Sequence, residues 1–150
     1  RPTQFATRAS MAAEKPTSII WFNRLFLASA VLGVGNILAH YGLLRGMALA
    51  QGSSPAGPML GIVLVVLEYL IFRYFIVRRG SNIARWVFVA VTAFSVVMVP
   101  LNFPAVFGVG RVYAAADILS YVFELAAAMM LFRKDAVRWL RRDRTAMVET

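Results

Sequence analysis

The chain has 150 residues, of which 60% are hydrophobic and 15% are charged, and its formal net charge is +9. A soluble domain is typically about 45–50% apolar and about 25% charged, so this composition excludes an ordinary soluble domain and indicates a membrane protein. The absence of cysteine excludes disulfides, thiolate nucleophiles, iron–sulfur clusters and cysteine-based zinc sites.

Residues 1–17 precede the hydrophobic part of the chain and predict a disordered N-terminal tail. The stretch MAAEKPTS reads like an ordinary translation start at Met11, so residues 1–10 are interpreted as an extended start or a cloning remnant. The first apolar run follows Arg24 and, at about 19 residues, is longer than the hydrophobic region of a typical signal peptide. A cleaved signal peptide is therefore not expected.

Four segments are each apolar over roughly the 20 residues that a helix needs to cross a bilayer. Their predicted bounds are residues 25–44, 59–77, 86–107 and 112–132, joined by the short connections QGSSPAGP, RRGSNIAR and GVGR. The predicted fold is an all-α integral membrane four-helix bundle over residues 18–132, followed by a basic tail over 133–150. Pro100 and Pro104 predict a kink or early unwinding near the end of the third span.

The distribution of positive charge predicts the orientation of this bundle. Fourteen of the sixteen lysine and arginine residues precede the first span, surround the second connection or follow the fourth span, and only Arg45 and Arg111 lie elsewhere. By the positive-inside rule both termini are expected in the cytoplasm. Trp21, Trp86 and Trp139 lie beside the basic clusters, where interfacial indole rings are common.

The sequence RKDAVRWLRRDR, residues 133–144, sets four apolar residues among arginines. This pattern predicts an amphipathic basic helix end that lies at anionic lipid headgroups on the cytoplasmic side.

Ionisable side chains within the predicted spans are costly in lipid, and we expect them to face the interior of the bundle. At about 1.5 Å per residue, Glu68 and Glu124 lie at nearly the same depth, close to the middle of the bilayer. Arg73 lies about 7–8 Å from the cytoplasmic edge, within side-chain reach of either carboxyl group, although on its own helix it points about 140° away from Glu68. We expect Glu68 to be stabilised by Arg73, by Tyr121 or by a proton shared with Glu124. Asp117, Tyr121 and Glu124 follow helical spacing along the fourth span and predict one inward-facing stripe.

Two interpretations of these polar residues stay open. One is structural hydrogen bonding between helices, and the other is a proton or cation site in which two carboxyl groups share a proton. The candidate residues of this intramembrane site are Glu68, Glu124, Arg73, Tyr121 and Asn36.

A second polar group is predicted toward the outer side of the membrane, formed by His40, Asp117 and Asn102. We expect His40, four residues after Asn36, to hydrogen-bond to Asp117 or to water. With one histidine and no cysteine, no metal site is predicted, and a haem would need a second axial ligand from a partner. The small residues of Ser29-xxx-Gly33 predict close packing between helices.

The segments SNIARWVFV, after the basic connection, and MMLFRKDAVRWLRR, closing the last span, resemble a loose set of small bacterial four-helix inner-membrane proteins. These proteins are largely uncharacterised, and the resemblance covers residues 18–142. It implies a multi-pass protein of the bacterial cytoplasmic membrane.

No dinucleotide-binding, phosphate-binding, zinc-protease or serine-hydrolase motif is present, so neither an enzyme nor a cofactor is predicted.

The first hypothesis is an accessory, assembly or stabilising subunit that contacts other membrane subunits, or copies of itself, through its helices. The alternative is a small proton- or cation-coupled transporter that uses Glu68 and Glu124, as a homo-oligomer. A third hypothesis is a subunit that contacts pigment or lipid through His40. Anionic lipid headgroups are expected partners, and nucleic acid is not.

Overall fold

The computed structural model describes residues 15–146, and this part of the chain is helical and contains no β-strand. The helices are α1 (Thr17–Ala39), α2 (Tyr41–Ala50), α3 (Gly57–Phe72), a π-helical turn (Arg73–Arg78) that continues α3, α4 (Asn82–Val109), α5 (Arg111–Met130) and α6 (Lys134–Ala146). The all-α prediction is confirmed for the described residues. Most of the predicted N-terminal tail and the last four residues of the predicted C-terminal tail lie outside them.

Four helical stretches are long and apolar enough to cross a membrane: Thr17–Ala39, Gly57–Arg78, Asn82–Val109 and Arg111–Met130. The shortest has 20 residues, and at about 1.5 Å per residue it matches a hydrocarbon layer of about 30 Å. Large apolar side chains cover much of their outer surface, among them Val31, Leu101, Val112 and Met129. Exposed apolar surface on this scale is typical of a protein that contacts lipid or other apolar partners.

The first long helix is displaced from the apolar segment seen in the sequence. It begins at Thr17 rather than residue 25, because Asn23 and Arg24 remain helical although they interrupt the apolar run. It ends at Ala39 rather than residue 44, because His40 leaves the helical conformation with φ −110° and ψ 15°. A separate short helix, α2, then follows.

Helix α4 continues through both of its prolines to Val109, so the early unwinding expected at this point does not occur. Each proline lacks an N–H group, and the carbonyl groups of Val96 and Pro100 therefore receive no backbone hydrogen bond from four residues ahead. One residue of this stretch adds a local contact of its own: the Asn102 side chain donates from Nδ2 to the Met98 carbonyl at 2.9 Å.

The end of α3 widens into a π-helical turn. The Arg79 N–H donates to the Tyr74 carbonyl, five residues back, at 3.1 Å. Gly80, with φ 62°, then reverses the chain in a conformation that favours glycine. The Ser81 side chain accepts a hydrogen bond from the Ala84 N–H at 3.3 Å and caps the start of α4.

The bundle has two unlike ends. We call the basic end the one at which α1 and α4 begin, α3 and α5 finish and α6 lies, and the far end the opposite one, which carries α2. Helix α1 packs most extensively on α5, and it also contacts α3, whereas α4 contacts α5. The main hydrophobic core lies in the basic half and comprises Ile19, Phe22, Phe26, Tyr69, Phe72, Ile76, Val77, Phe88, Ala127, Ala128, Leu131 and Ala136.

Helix α6 turns back onto α1 at the basic end. Two residues of its apolar strip, Ala136 and Leu140, are buried, and Trp139 packs against the core. The Asp135 carboxylate accepts hydrogen bonds from the Ser18 N–H, at 3.2 Å, and from the Ser18 hydroxyl. The last helix thereby caps the first turn of α1, whose own N-cap residue is a proline without a side-chain oxygen.

Candidate functional site

A polar cavity of about 270 Å³ lies between α1, α3, α4 and α5. Its polar lining residues are Ser29, Glu68, Ser95, Tyr113, Asp117, Ser120, Tyr121 and Glu124. Three of these carry carboxyl groups, and they come from two different helices. We call this space the polar cavity.

Helix α5 supplies most of its polar wall. Tyr113, Asp117, Tyr121 and Glu124 follow one another at intervals of four, four and three residues, so they lie along one face of the helix. The structure thus turns the stripe of Asp117, Tyr121 and Glu124 toward the interior of the bundle. Tyr113 extends the same stripe by one turn.

Helix α1 contributes space to the cavity. Ser29 and Gly33 line it, and a Cβ atom built on Gly33 would meet no other atom within 4 Å. Gly33 therefore leaves room at the cavity wall rather than permitting close contact there, whereas Ser29 is buried.

Glu68 and Glu124 lie near enough for their charges to interact. Glu124 also accepts a hydrogen bond through Oε1 from the Thr92 hydroxyl of α4 at 2.8 Å. No lysine or arginine is among the described residues that line the polar cavity. A negative charge inside it is therefore stabilised by hydroxyl groups, or neutralised by a bound proton or by a cation that enters.

Tyr121 lies at the centre of this cluster. Its phenol group interacts electrostatically with Asp117, Glu124 and Glu68. Within residues 15–146, no three histidine, aspartate or glutamate side chains converge closely enough to hold a metal ion. The arrangement thus consists of separate carboxyl groups around a central phenol.

Arg73 is not part of this cluster. Its guanidinium group lies 5.8 Å from the centre of the Tyr69 ring, and it lines a different cavity at the basic end. The expected pairing of Arg73 with Glu68 or Glu124 is not made. The physical reason is that Arg73 comes five residues after Glu68 along the helix and so points about 140° away from it, and its guanidinium group packs over Tyr69 instead.

A larger space of about 490 Å³, the far-end cavity, adjoins the polar cavity. The two share Ile37, Tyr113, Asp117 and Tyr121 as wall residues. Asn102 lines the far-end cavity with Asp117, so these two members of the predicted outer polar group share one space. The shared walls place the carboxyl groups next to the more open end of the bundle.

His40 and Asn36 form a separate contact between α1 and the beginning of α5. The Asn36 side chain donates from Nδ2 to the Tyr113 carbonyl at 3.0 Å. His40 Nδ1 lies 3.0 Å from the Asn36 carbonyl, and its ring packs edge-on against Tyr113 at 5.3 Å. His40 therefore contacts Asn36 and Tyr113 rather than Asp117.

Aromatic rings close the polar cavity toward the basic end. Phe26 lines the cavity, and its ring centre lies 5.0 Å from that of Phe88 and 5.4 Å from that of Tyr69. Phe22 and Phe72 contact Phe88 in turn, at 5.3 and 5.1 Å. These five rings, from α1, α3 and α4, form an aromatic floor beneath the carboxyl groups.

Comparison with protein-family models, with curated proteins and with solved structures finds no match to this chain. Its function is therefore inferred from the site itself. Sequence reasoning missed Thr92, Ser95 and Ser120 as part of the site. Thr92 and Ser95 are three residues apart on α4, and this spacing was the available signal that they share a face.

Proposed function

We propose that this protein is a small proton- or cation-coupled membrane transporter, with Glu68 and Glu124 as the coupling carboxyl groups. The polar cavity is the observation that carries the proposal. It sets three carboxyl groups among four apolar helices, and no basic side chain is among its described lining residues. An ionised carboxylate there is costly unless a proton or a cation neutralises it. The cavity therefore favours binding one or the other.

The proposed location is the bacterial cytoplasmic membrane, with both termini in the cytoplasm. Four helices of sufficient length and apolarity support membrane insertion. The clustering of fourteen of the sixteen basic residues supports an orientation in which the basic end faces the cytoplasm. The resemblance to small bacterial four-helix inner-membrane proteins supports the choice of membrane.

In this orientation the far-end cavity faces away from the cytoplasm. Its shared wall with the polar cavity provides a route from that side to Asp117 and then to Glu124. The aromatic floor blocks the continuation toward the cytoplasm. This arrangement fits a state that loads from the outer side, and transport requires the floor to move.

The test is a flux assay on purified protein in liposomes that contain a pH-sensitive dye. Proton entry is followed under an imposed potential, with outward gradients of sodium, potassium or a small organic amine supplied in turn. We expect a flux above that of empty liposomes, and we expect Glu68→Gln and Glu124→Gln each to lower it at least tenfold. Asp135→Asn, which neutralises a carboxyl group outside the polar cavity, is the matched control and keeps the flux.

Two outcomes would contradict the transporter proposal. One is a wild-type flux equal to that of empty liposomes under every gradient. The other is an unchanged flux in both glutamine variants. Either result would mean that Glu68 and Glu124 stabilise the helix bundle and do not couple transport.

A second candidate function, that of an accessory subunit acting through helix contacts, is favoured by the surface of α4. Its most hydrophobic stretch is only 11% buried, and Phe94, Val97 and Leu101 project outward. Another helix would cover this face, from a second copy or from another subunit. Since the chain has no cysteine, Val97→Cys gives a single cross-linking site. A disulfide-linked dimer in membranes, absent for Val63→Cys on α3, would support self-association through α4.

A further inference from the structure

A third cavity, of about 620 Å³, lies at the basic end between α1 and the end of α3. We call it the basic groove. Among the described residues that line it, Lys15, Arg73 and Arg78 are basic, and none is acidic. The groove has no part in the transport route proposed above, which ends at the aromatic floor. Its charge fits an anionic occupant.

The π-helical turn brings the two arginines of the groove together. In an α-helix, residues five apart point about 140° away from each other. In a π-helix, whose hydrogen bonds reach one residue further and which has about 4.4 residues per turn, the same residues are about 50° apart. Arg73 and Arg78 are the first and last residues of this turn, and both line the groove. An ordinary α-helical ending would have separated them.

Aromatic contacts hold part of this basic surface in place. The Arg73 guanidinium group lies over the Tyr69 ring at 5.8 Å, and Tyr69 belongs to the buried core. Beside the groove, Arg79 lies over Tyr74 at 5.5 Å, and Tyr74 lines the groove. The positions of these arginines are therefore held by contact with aromatic rings and by the backbone of the turn. The groove is thus more than a group of long flexible side chains.

The remaining walls of the groove are largely apolar. Ile20 and Leu70 line it and are also exposed on the outer surfaces of α1 and α3. Arg73 lies about one helical turn deeper in the bundle than Arg78, toward the inner margin of the headgroup level. The occupant that suits these walls carries an anionic group at one end and an apolar body that continues into lipid.

We propose that the basic groove binds one anionic phospholipid, with its phosphate between Arg73, Arg78 and Lys15 and its acyl chains against Ile20 and Leu70. This inference rests on the membrane orientation proposed above, but not on transport. The charge of the groove favours an anionic lipid over a zwitterionic one, and the apolar walls favour a lipid over free phosphate.

The test measures lipid binding to the full chain in detergent by native mass spectrometry, with phosphatidylglycerol and phosphatidylcholine of identical acyl chains. We expect phosphatidylglycerol to bind at least tenfold more tightly. Arg73→Gln and Arg78→Gln should each weaken it about fivefold, and the double variant should abolish the preference. Arg133→Gln, which removes an exposed arginine at the same end but outside the groove, should not.

Three further arms complete the test. Arg73→Lys with Arg78→Lys keeps the charge and should retain most of the preference, which covers the case in which the glutamine variants fail to fold. Inorganic phosphate at millimolar concentration should not displace the lipid. Glu68→Gln should bind phosphatidylglycerol as the wild type does, so that a failure of transport is distinguished from a failure of the groove.

Three results would each overturn the proposal. They are equal binding of the two lipids by the wild type, a preference unchanged in the double glutamine variant, and displacement of the lipid by free phosphate.

Discussion

Thr92 donates a 2.8 Å hydrogen bond to Glu124 across the contact between α4 and α5. Thr92 is only 2% exposed, although α4 is otherwise the least buried of the four long helices. This bond therefore joins the most exposed of the four long helices to the polar cavity. It also gives Glu124 a fixed donor on a second helix.

Replacement of Thr92 by valine, which has the same shape without the hydroxyl group, removes this donor. We expect Thr92→Val to lower the free energy of unfolding by about 1 kcal/mol, because a partly buried carboxyl group loses its donor. Thr92→Ser keeps the hydroxyl group and should retain most of the stability. Thermal unfolding of the three proteins in one detergent measures the difference, and equal midpoints for valine and wild type would show that the bond contributes nothing.

The contact between Ser18 and Asp135 predicts a pH-dependent stability. Hydrogen bonds from the Ser18 hydroxyl and N–H hold the pKa of Asp135 below its usual value, although slight desolvation of this exposed carboxyl group opposes them. A carboxyl group with a lower pKa in the folded chain stabilises the fold above its unfolded pKa of about 3.9, and the contribution is lost as the pH falls through the folded pKa.

We therefore expect Asp135→Asn, which keeps one acceptor oxygen but loses the charge, to unfold at a slightly lower temperature than the wild type at pH 7, by less than the roughly 1 kcal/mol of a lost helix cap. The difference should shrink below about pH 4 and vanish once Asp135 is protonated in the folded wild type. Ser18→Ala should show a smaller loss, since the N–H donor remains, and Ser18→Thr keeps the hydroxyl group as a control. A difference that persists unchanged at low pH would exclude the ionised carboxylate as its cause.

The aromatic floor predicts an unequal response to the loss of two phenylalanines of α4. Phe88 is completely buried and contacts Phe22, Phe26 and Phe72, so Phe88→Ala should cost about 3–5 kcal/mol of stability. Phe94 is 64% exposed on the same helix, and Phe94→Ala should cost less than about 1 kcal/mol in detergent. Denaturant titration followed by tryptophan fluorescence compares the two. Equal losses would mean that the floor is no more tightly packed than the outer surface of α4.

The parts of this structure that the sequence predicted are those that depend on local periodicity. Glu124, Tyr121 and Asp117 were placed on one face because helical spacing alone determines that face. Arg73 contacts neither glutamate because its guanidinium group lies over Tyr69 of its own helix. The π-helical turn that sets Arg73 and Arg78 beside one cavity is signalled by no residue pattern. The contact of Ser18 with Asp135 joins residues 117 positions apart, so it depends on how the whole chain closes.

Cavities are harder to predict from sequence than faces. Gly33 and Ser29 have the spacing that commonly lets two helices approach, and the same spacing here borders an open space. Small residues permit close contact between two helices when the helix axes are near each other, and they border a cavity when the axes are further apart. The distance between the axes is set by the large residues of the basic half, including Phe22 and Phe26 of α1 and Phe88 of α4, which is more than sixty positions further along the chain.

Gly33 provides the most direct test of the cavity. A Cβ atom at this position meets no other atom within 4 Å, so Gly33→Ala should fold normally and gain about 0.5–1 kcal/mol from its higher helix propensity. Gly33→Leu should still fold but fill the space beside the carboxyl groups, and it should lower the proposed flux at least tenfold.

Gly35, which is exposed on the same helix and also has free space around its Cβ position, gives the matched control. Gly35→Leu should leave the flux unchanged, because its side chain points away from the polar cavity. If leucine at both positions left the flux intact, the space beside Gly33 would have no part in transport; if leucine at both abolished it, the loss would reflect the helix rather than the cavity.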